Sequence, residues 1–419
     1  MNIKKIHAYE ILASGGYPTI ETSVELEDGS VARASVPYGA SAGSHEATVM
    51  TDGDIKRWNG KGMLKAISNI NDVIAPSLTG MDALDQRKID ETMIALDGTP
   101  NKAKFGGNAI LSVSIAVANV AAISKKVELY RHIISTFDTG VDLTNLPQPM
   151  TVVIEGGKHA VDTTDLQEYC LSATRVDSVA QNVRMILETY HQLGGVLKEN
   201  DLSTNVGNEG AFAPNGVASN EAPFAYMLEA IKRAGYEPGR DIGFSIDAAA
   251  NEFFENDSYD LKLEKRGLTS EELISYFGSW LDKYPIVTFE DMLAEDDWEN
   301  WTKLKLITDQ HNISLIGDDL TVTSVERLQK AIDLKAISGI LIKLNQIGTL
   351  TETVDCCMLA KKHGLMTTVS HRGGGETNDT TMIDVAVAVG SAFIKVGPTR
   401  GERVSKYNRL MDIERQLQK

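Results

Sequence analysis

Short apolar, strand-like runs recur through the second half of the chain, and each ends on an ionisable residue. DIGFSID ends at Asp247, PIVTFE at Glu290, ISLIGD at Asp318, GILIK at Lys343, MTTVSH at His371 and AFIK at Lys395. Successive ends are 43, 28, 25, 28 and 24 residues apart, with amphipathic stretches such as TSVERLQKAIDLKA and TETVDCCMLAKKHG between them. An interval near 25 accommodates one strand, one helix and two loops, so the pattern reads as a repeated βα unit. Parallel strands in such units bring their C-terminal ends to one face, and in a (β/α)8 barrel that face carries the active site. A lone Asp or Glu after a strand is commonly just the N-cap of the next helix, and a Lys or His there often only meets solvent. Six consecutive polar strand ends of different chemistry point instead to a shared site.

Upstream the texture differs. KKIHAYEIL, PTIETSVELEDG and SVARASVP alternate strand-like stretches with turns, and Glu27-Asp28-Gly29 predicts an antiparallel hairpin. From about Asp54 to Leu129 the pattern is helical, and NAILSVSIAVANVAAISKK, from Asn108, reads as a buried helix. Pro147 and Pro149 close a looser stretch, and the domain boundary is placed there: an α+β domain over residues 1–137 and a barrel over residues 138–419. A net charge of −17 repels nucleic acid and anionic membrane, so any anion site has to be a local basic island. Three cysteines, two of them adjacent, form no disulfide framework and suit a reducing cytoplasm. The N-terminus lacks a signal-peptide pattern, and no run approaches the length of a membrane span.

Asp247, Glu290 and Asp318 supply three carboxylates from neighbouring strands. Brought together without a counter-ion they repel and raise one another's pKa. A hard divalent cation resolves this, and all-oxygen ligation favours Mg²⁺ over Zn²⁺. Lys343 is placed as a base, its pKa expected to fall beside a metal and the second cation Lys395. Metal opposite a lysine suits removal of a proton from carbon next to a carboxylate. The segment SHRGGGETND adds His371 and Arg372 followed by Gly373, Gly374 and Gly375, which suggests a held anion, a phosphate by preference.

Along nearly its whole length the sequence resembles the enolase family, in PYGASAGSHEA, KFGGNAILSVSIAVA, LPQPM with IEGGKHA, VGNEGAFAP, DAAANEF, YPIVTFEDMLAEDDW, IGDDLTVT, LIKLNQIGTLTETV, SHRGGGET and ERVSKYNRLMDIE. The resemblance implies an enolase-type (β/α)8 barrel of ββαα(βα)6 order behind an N-terminal three-stranded antiparallel sheet with helices. It implies reversible, Mg²⁺-dependent dehydration of 2-phospho-D-glycerate to phosphoenolpyruvate. By resemblance, Asp247, Glu290 and Asp318 match ligands of the tighter Mg²⁺, and Ser41 the lid residue of a second Mg²⁺ bound with substrate. Lys343 matches the base at C2; Glu209, with Glu168 beside it, matches the acid at the C3 hydroxyl. His371 matches the family's histidine, His159, Gln167 and Lys395 match substrate-binding positions, and Arg372 the phosphate-binding arginine. Family members are commonly homodimers or dimer-based assemblies in the cytoplasm.

The sequence also departs from that pattern. Gly373 stands where the family has a phosphate-holding serine, with one extra residue before Glu376. Glu155 replaces an asparagine, Asn208 an aspartate, Ala211 a glycine, Tyr38 a lid serine, and Gly15 and Tyr17 an arginine and an asparagine. Two alternatives to the dehydration of 2-phosphoglycerate therefore stay open. One is a paralogue acting on a related phosphorylated or phosphonylated acid, as in carboxyphosphonoenolpyruvate synthesis. The other is a binding protein that keeps the fold without chemistry.

Overall fold

The computed structural model describes residues 1–39, 43–175 and 177–418. Strands β1 (Ile3–Leu12), β2 (Pro18–Leu26) and β3 (Val31–Ser35) form an antiparallel sheet in that order. Along β2 the side chains of Ile20, Thr22, Val24 and Leu26 are buried while Glu21, Ser23 and Glu25 are not, the period-2 alternation of a sheet with one face on a core. The predicted hairpin turn lies between β2 and β3, where Gly29 takes a φ of 86°.

The sheet's inner face packs on the helix Gly107–Lys125. Its alanines and small polar residues allow close approach, and Thr22 and Ser112 satisfy each other's buried hydroxyls at 2.8 Å. This helix is long and apolar enough to cross a membrane, against the expectation that no run approaches that length. Fifteen of its residues, from Gly107 to Ala122, are buried inside the protein, as for a core helix.

The larger part of the chain is a closed eight-stranded barrel. It opens with β4 (Gln148–Glu155), β5 (Glu168–Ala173) and β6 (Ile242–Asp247). A small antiparallel sheet of β7 (Phe254–Glu255), β8 (Ser258–Leu261) and β9 (Arg266–Leu268) then branches off. The barrel resumes with β10 (Ile286–Glu290), β11 (Ser314–Gly317), β12 (Gly339–Ile342), β13 (Met366–Ser370) and β14 (Phe393–Val396). β5 runs antiparallel to both β4 and β6, and every other pairing in the barrel is parallel. Two helices, Val179–Glu199 and Ala222–Arg233, fill the gap between β5 and β6, which gives the ββαα(βα)6 order.

All six expected strands are present. The one long interval, Asp247 to Glu290, holds the β7–β9 excursion and the helix Ser270–Leu281, which starts at a Thr269/Glu272 capping box. The N-terminal layer is tied to the barrel's outer helices by buried polar contacts. Asp90 accepts hydrogen bonds from the N–H (3.0 Å) and Oγ1 (2.6 Å) of Thr351, and Ser114 Oγ accepts from the Leu350 N–H at 3.0 Å.

The helix Leu129–Phe137 carries His132, 1% exposed, its Nε2 without a hydrogen-bond partner among the described residues. Burial, with Lys125 adding to it, pushes its pKa down to about 4. A base depressed in the folded state takes up a proton on unfolding at pH values between its folded and unfolded pKa, so it withdraws stability as pH falls from about 6.5 toward 4. At about 1.36 kcal/mol per unit the contribution is on the order of 3 kcal/mol. Urea denaturation at pH 7 and pH 4.5 should show a smaller acid-induced loss in His132→Phe than in wild type; equal losses would exclude His132 as a source.

Candidate active site

The site lies at the C-terminal ends of the parallel strands, and its centre is Lys395 on β14. Strand register brings three carboxylates to that level: Glu168 on β5 stands opposite Asp247 on β6, and Asp247 opposite Glu290 on β10. The Lys395 ammonium lies 2.7 Å from Glu168 Oε2, 3.0 Å from Asp247 Oδ2 and 2.6 Å from Glu290 Oε1. All four side chains are almost fully buried. Burial by itself lowers the proton affinity of a lysine, and here the three carboxylates overcome it and hold Lys395 well above its ordinary value. Burial likewise pushes the carboxyls of Glu168 and Glu290 up, and neighbouring carboxylates push them further.

A second network surrounds Asp318, just past β11. Its Oδ2 pairs with the Lys343 ammonium, and its Oδ1 accepts a 2.7 Å hydrogen bond from Gln346 Nε2. Thr323 fixes both partners, donating to Gln346 Oε1 at 2.9 Å and accepting from the Lys343 N–H at 3.0 Å. Asp291 accepts the N–H groups of Asp318 (2.8 Å) and Asp319 (2.7 Å) on its two oxygens. Carboxylate oxygens of Asp291, Asp318 and Asp319 lie within 4.8 Å of one another, a group that could hold a cation. Burial, then the Asp318 charge, pushes Asp319 up to about 8. Lys343 differs from expectation: Asp318 outweighs the effect of burial and raises its pKa instead of letting it fall.

The backbone is bent sharply to make these contacts. Ala249, Asp291, Val322 and Thr323 all take left-handed conformations, with φ of 44°, 44°, 44° and 56°. Such values are costly for side-chain-bearing residues, and above all for a β-branched Val. They occur where the chain turns out of β6, β10 and β11.

A third group gathers Glu209, His159, His371 and Glu168. Glu209 Oε1 is 3.4 Å from His371 Nε2 and 3.7 Å from His159 Nδ1, and His159 Nδ1 is 3.4 Å from Glu168 Oε1. Burial works to raise Glu209, but His371 and His159 beside it win and hold it below the usual carboxylate range. Burial lowers His159. His371 Nδ1 and Nε2, His159 Nδ1, Glu209 Oε2 and Gln167 Oε1 are buried without a hydrogen-bond partner among the described residues. Buried polar atoms rarely stay unpaired, so their convergence marks a place built for a polar ligand.

Arg372 follows His371, and its Nη2 donates to Glu46 Oε1 at 2.8 Å. Its N–H donates to Glu376, which pairs with Lys406. The glycines after it are packed tightly. A Cβ on Gly373 would lie 2.1 Å from Glu209 Oε1, and one on Gly375 would lie 1.8 Å from the Tyr38 carbonyl oxygen. A serine at 373 cannot be accommodated without displacing Glu209 or the loop.

Gln167, Asp247, Asp291, Asp318, Lys343 and Arg372 line one small cavity. Of the carboxylates expected to share a metal, Asp247 and Glu290 turn onto Lys395 and Asp318 onto Lys343, and they do not form one group as close as Asp291, Asp318 and Asp319. Ser41 lies outside the described residues. Sequence reasoning passed over Asp291, Asp319, Glu46 and Gln346, and noted Glu155 only as a departure from the family pattern. The acidic doublets Glu290-Asp291 and Asp318-Asp319 were the available signal for the first two.

Removing one partner of a buried ionic network leaves uncompensated charge, typically at a cost of about 3–5 kcal/mol. Lys395→Ala should lose stability of that order in urea denaturation without added divalent cation; a loss below about 1 kcal/mol would contradict the central role given to this ammonium.

Two family models match the chain: Enolase, N-terminal domain, over residues 3–133, and Enolase, C-terminal TIM barrel domain, over residues 143–419. Together with the closed barrel, the antiparallel N-terminal sheet and the buried acid–lysine networks at the barrel mouth, these matches place the chain in the enolase family.

Proposed function

We propose that this protein is a hydro-lyase that interconverts 2-phospho-D-glycerate and phosphoenolpyruvate plus water, a step of glycolysis and gluconeogenesis, in the cytoplasm and as a homodimer or dimer-based assembly. The division at residues 137 and 138 separates its capping domain from its catalytic barrel. One observation carries the reading: two ionisable groups, the half-buried Lys343 and the buried Glu209, belong to separate networks, one bonded to Asp318 and the other set between two histidines. Proton abstraction at one carbon and loss of hydroxide from its neighbour need two such groups.

The donors gathered at Asp291, Asp318 and Asp319 are all carboxylate oxygens, which fits a hard divalent cation of the Mg²⁺ type. Asp247, Glu290 and Asp318 would hold the first Mg²⁺, with Asp291 and Asp319 against Asp318, and Ser41 would serve a second bound with substrate. Such a cation supplies positive charge for the substrate carboxylate as negative charge develops beside it. Lys343, held as the ammonium by Asp318, becomes the base at C2 once the charge of Asp318 is engaged elsewhere. Glu209 exchanges a proton with the C3 hydroxyl: as the anion it receives one from water in hydration, and in dehydration it gives up a proton first taken from solvent when substrate engages the histidines that hold it ionised in the free protein. Glu168 and His371 flank it, and His159, Gln167, Arg372 and Lys395 bind substrate.

Arg372 offers the planar fork that suits phosphate oxygens. The tightly packed glycine loop beside it favours, as a second reading, a related phosphorylated or phosphonylated acid whose acceptor end fits a rebuilt loop. A non-catalytic paralogue gives no reason to keep Glu209 buried beside two histidines and Lys343 paired with Asp318.

If Lys343 is the base, Lys343→Ala should stop exchange of the C2 proton of 2-phosphoglycerate with solvent deuterium. Glu209→Gln should block dehydration while leaving part of that exchange, since the two groups act in different steps. Exchange in Lys343→Ala equal to wild type, followed by proton NMR, would overturn the assignment.

A further inference from the structure

Glu155 ends β4, is 0% exposed, and lies under the 207–211 loop that carries Glu209. Its Oε1 accepts the N–H groups of Glu209 at 3.0 Å and Ala211 at 2.9 Å, and its Oε2 lies 3.1 Å from the Glu209 nitrogen. The carbonyls of the same loop are taken by other side chains. Arg403 and Arg400 donate to the Asn208 oxygen at 2.9 and 3.3 Å, and Arg400 to the Gly207 oxygen at 2.8 Å. Tyr190 and Thr399 donate to the Gly210 oxygen at 2.9 and 2.8 Å. An irregular loop thus has two amides on one buried carboxylate and its carbonyls on two arginines and two hydroxyls, which fixes its path. Three of the departures noted in the sequence, Glu155, Asn208 and Ala211, meet at this loop.

We propose that Glu155 is a positioning residue that fixes the backbone under Glu209 and, as a second carboxyl sharing the same buried space, ties the protonation of Glu209 to its own. The inference rests on Glu209 being the proton-transfer group of the proposed reaction. Two carboxyls that repel in a low-dielectric site bind protons as a pair. Charged and titratable groups face the pair from several elements: Arg403 and Tyr407 from the C-terminal helix, Arg400 on the loop's carbonyls, Glu168 from β5, Tyr190 from the helix after β5, and His159 and His371 on Glu209. Burial pushes Glu155 up to about 8 with the Glu209 charge adding to it, while Glu209 is held down, so the proton resides on Glu155 at neutral pH. As pH rises through about 8, Glu155 ionises and places a second anion beneath the amide of Glu209.

Glu155→Gln keeps an oxygen able to accept both N–H groups but cannot ionise; Glu155→Ala removes both functions. Infrared difference titration of the free proteins should show carboxyl ionisation near pH 8 in wild type, where Glu155 and Asp319 both fall, and an amplitude smaller by one carboxyl in Glu155→Gln. In steady-state dehydration of 2-phosphoglycerate, Glu155→Ala should lower kcat about tenfold or more with KM within about threefold. Glu155→Gln should restore kcat to within about threefold and lose the break near pH 8 in the pH profile. An undiminished carboxyl amplitude near pH 8 in Glu155→Gln, or wild-type kcat in Glu155→Ala, would overturn the proposal. Should wild type fail to dehydrate 2-phosphoglycerate, the reaction assignment falls, while the infrared titration still decides the coupling.

Discussion

The barrel mouth depends on one ammonium, Lys395, buried among Glu168, Asp247 and Glu290. Desolvating four charges costs several kcal/mol for each ion, and the cost is offset only where the geometry is good and the remaining oxygens are occupied. The strand registers that place Glu168 opposite Asp247 and Asp247 opposite Glu290 are therefore energetic requirements as well as features of the sheet. A slip of one residue would turn these side chains to the other face and leave the ammonium alone. Interactions of this kind weigh little toward net stability but heavily toward a single arrangement, which is what a proton-transfer site needs.

Around that centre the chain spends conformational energy to fix polar groups. The left-handed turns at Ala249, Asp291, Val322 and Thr323 aim the carboxylates and Lys343, and the 207–211 loop is held from both sides by Glu155 and by Arg400 and Arg403. The glycine loop after Arg372 allows no added side chain at 373 or 375, so its shape is coupled directly to Glu209 and to the Tyr38 segment. The glycine loop, Glu209 and Tyr38 form one packed unit, and a change in any of them is felt by the others.

Much of this was legible in the residues. Strands β6 and β10–β14 announced themselves because a parallel βα repeat imposes both a spacing and a buried run ending at the working face. β4 and β5 carried no such signal. They pair antiparallel through a connection without a helix, and their residues are buried on both faces, so neither the spacing nor an alternating pattern marks them. The site was readable where chemistry stands at a strand end, as at Lys343 and Lys395. It was not readable at Gln346, Glu46 or Glu155, whose partners are up to 326 residues away in the chain. The proton affinity of Lys343 was misjudged for the same reason: the sequence shows that an acid and a lysine are near, but not that Asp318 pairs directly with the ammonium.

Networks of this kind, if they serve the dehydration of a phosphorylated hydroxy acid, must turn over 2-phosphoglycerate. The most direct test is the ultraviolet absorbance of phosphoenolpyruvate formed from 2-phosphoglycerate by the purified protein, with millimolar Mg²⁺ and with a chelator in its place. The account predicts steady formation with Mg²⁺ and none with the chelator. A correctly folded protein that forms no phosphoenolpyruvate at saturating Mg²⁺ and substrate would contradict it.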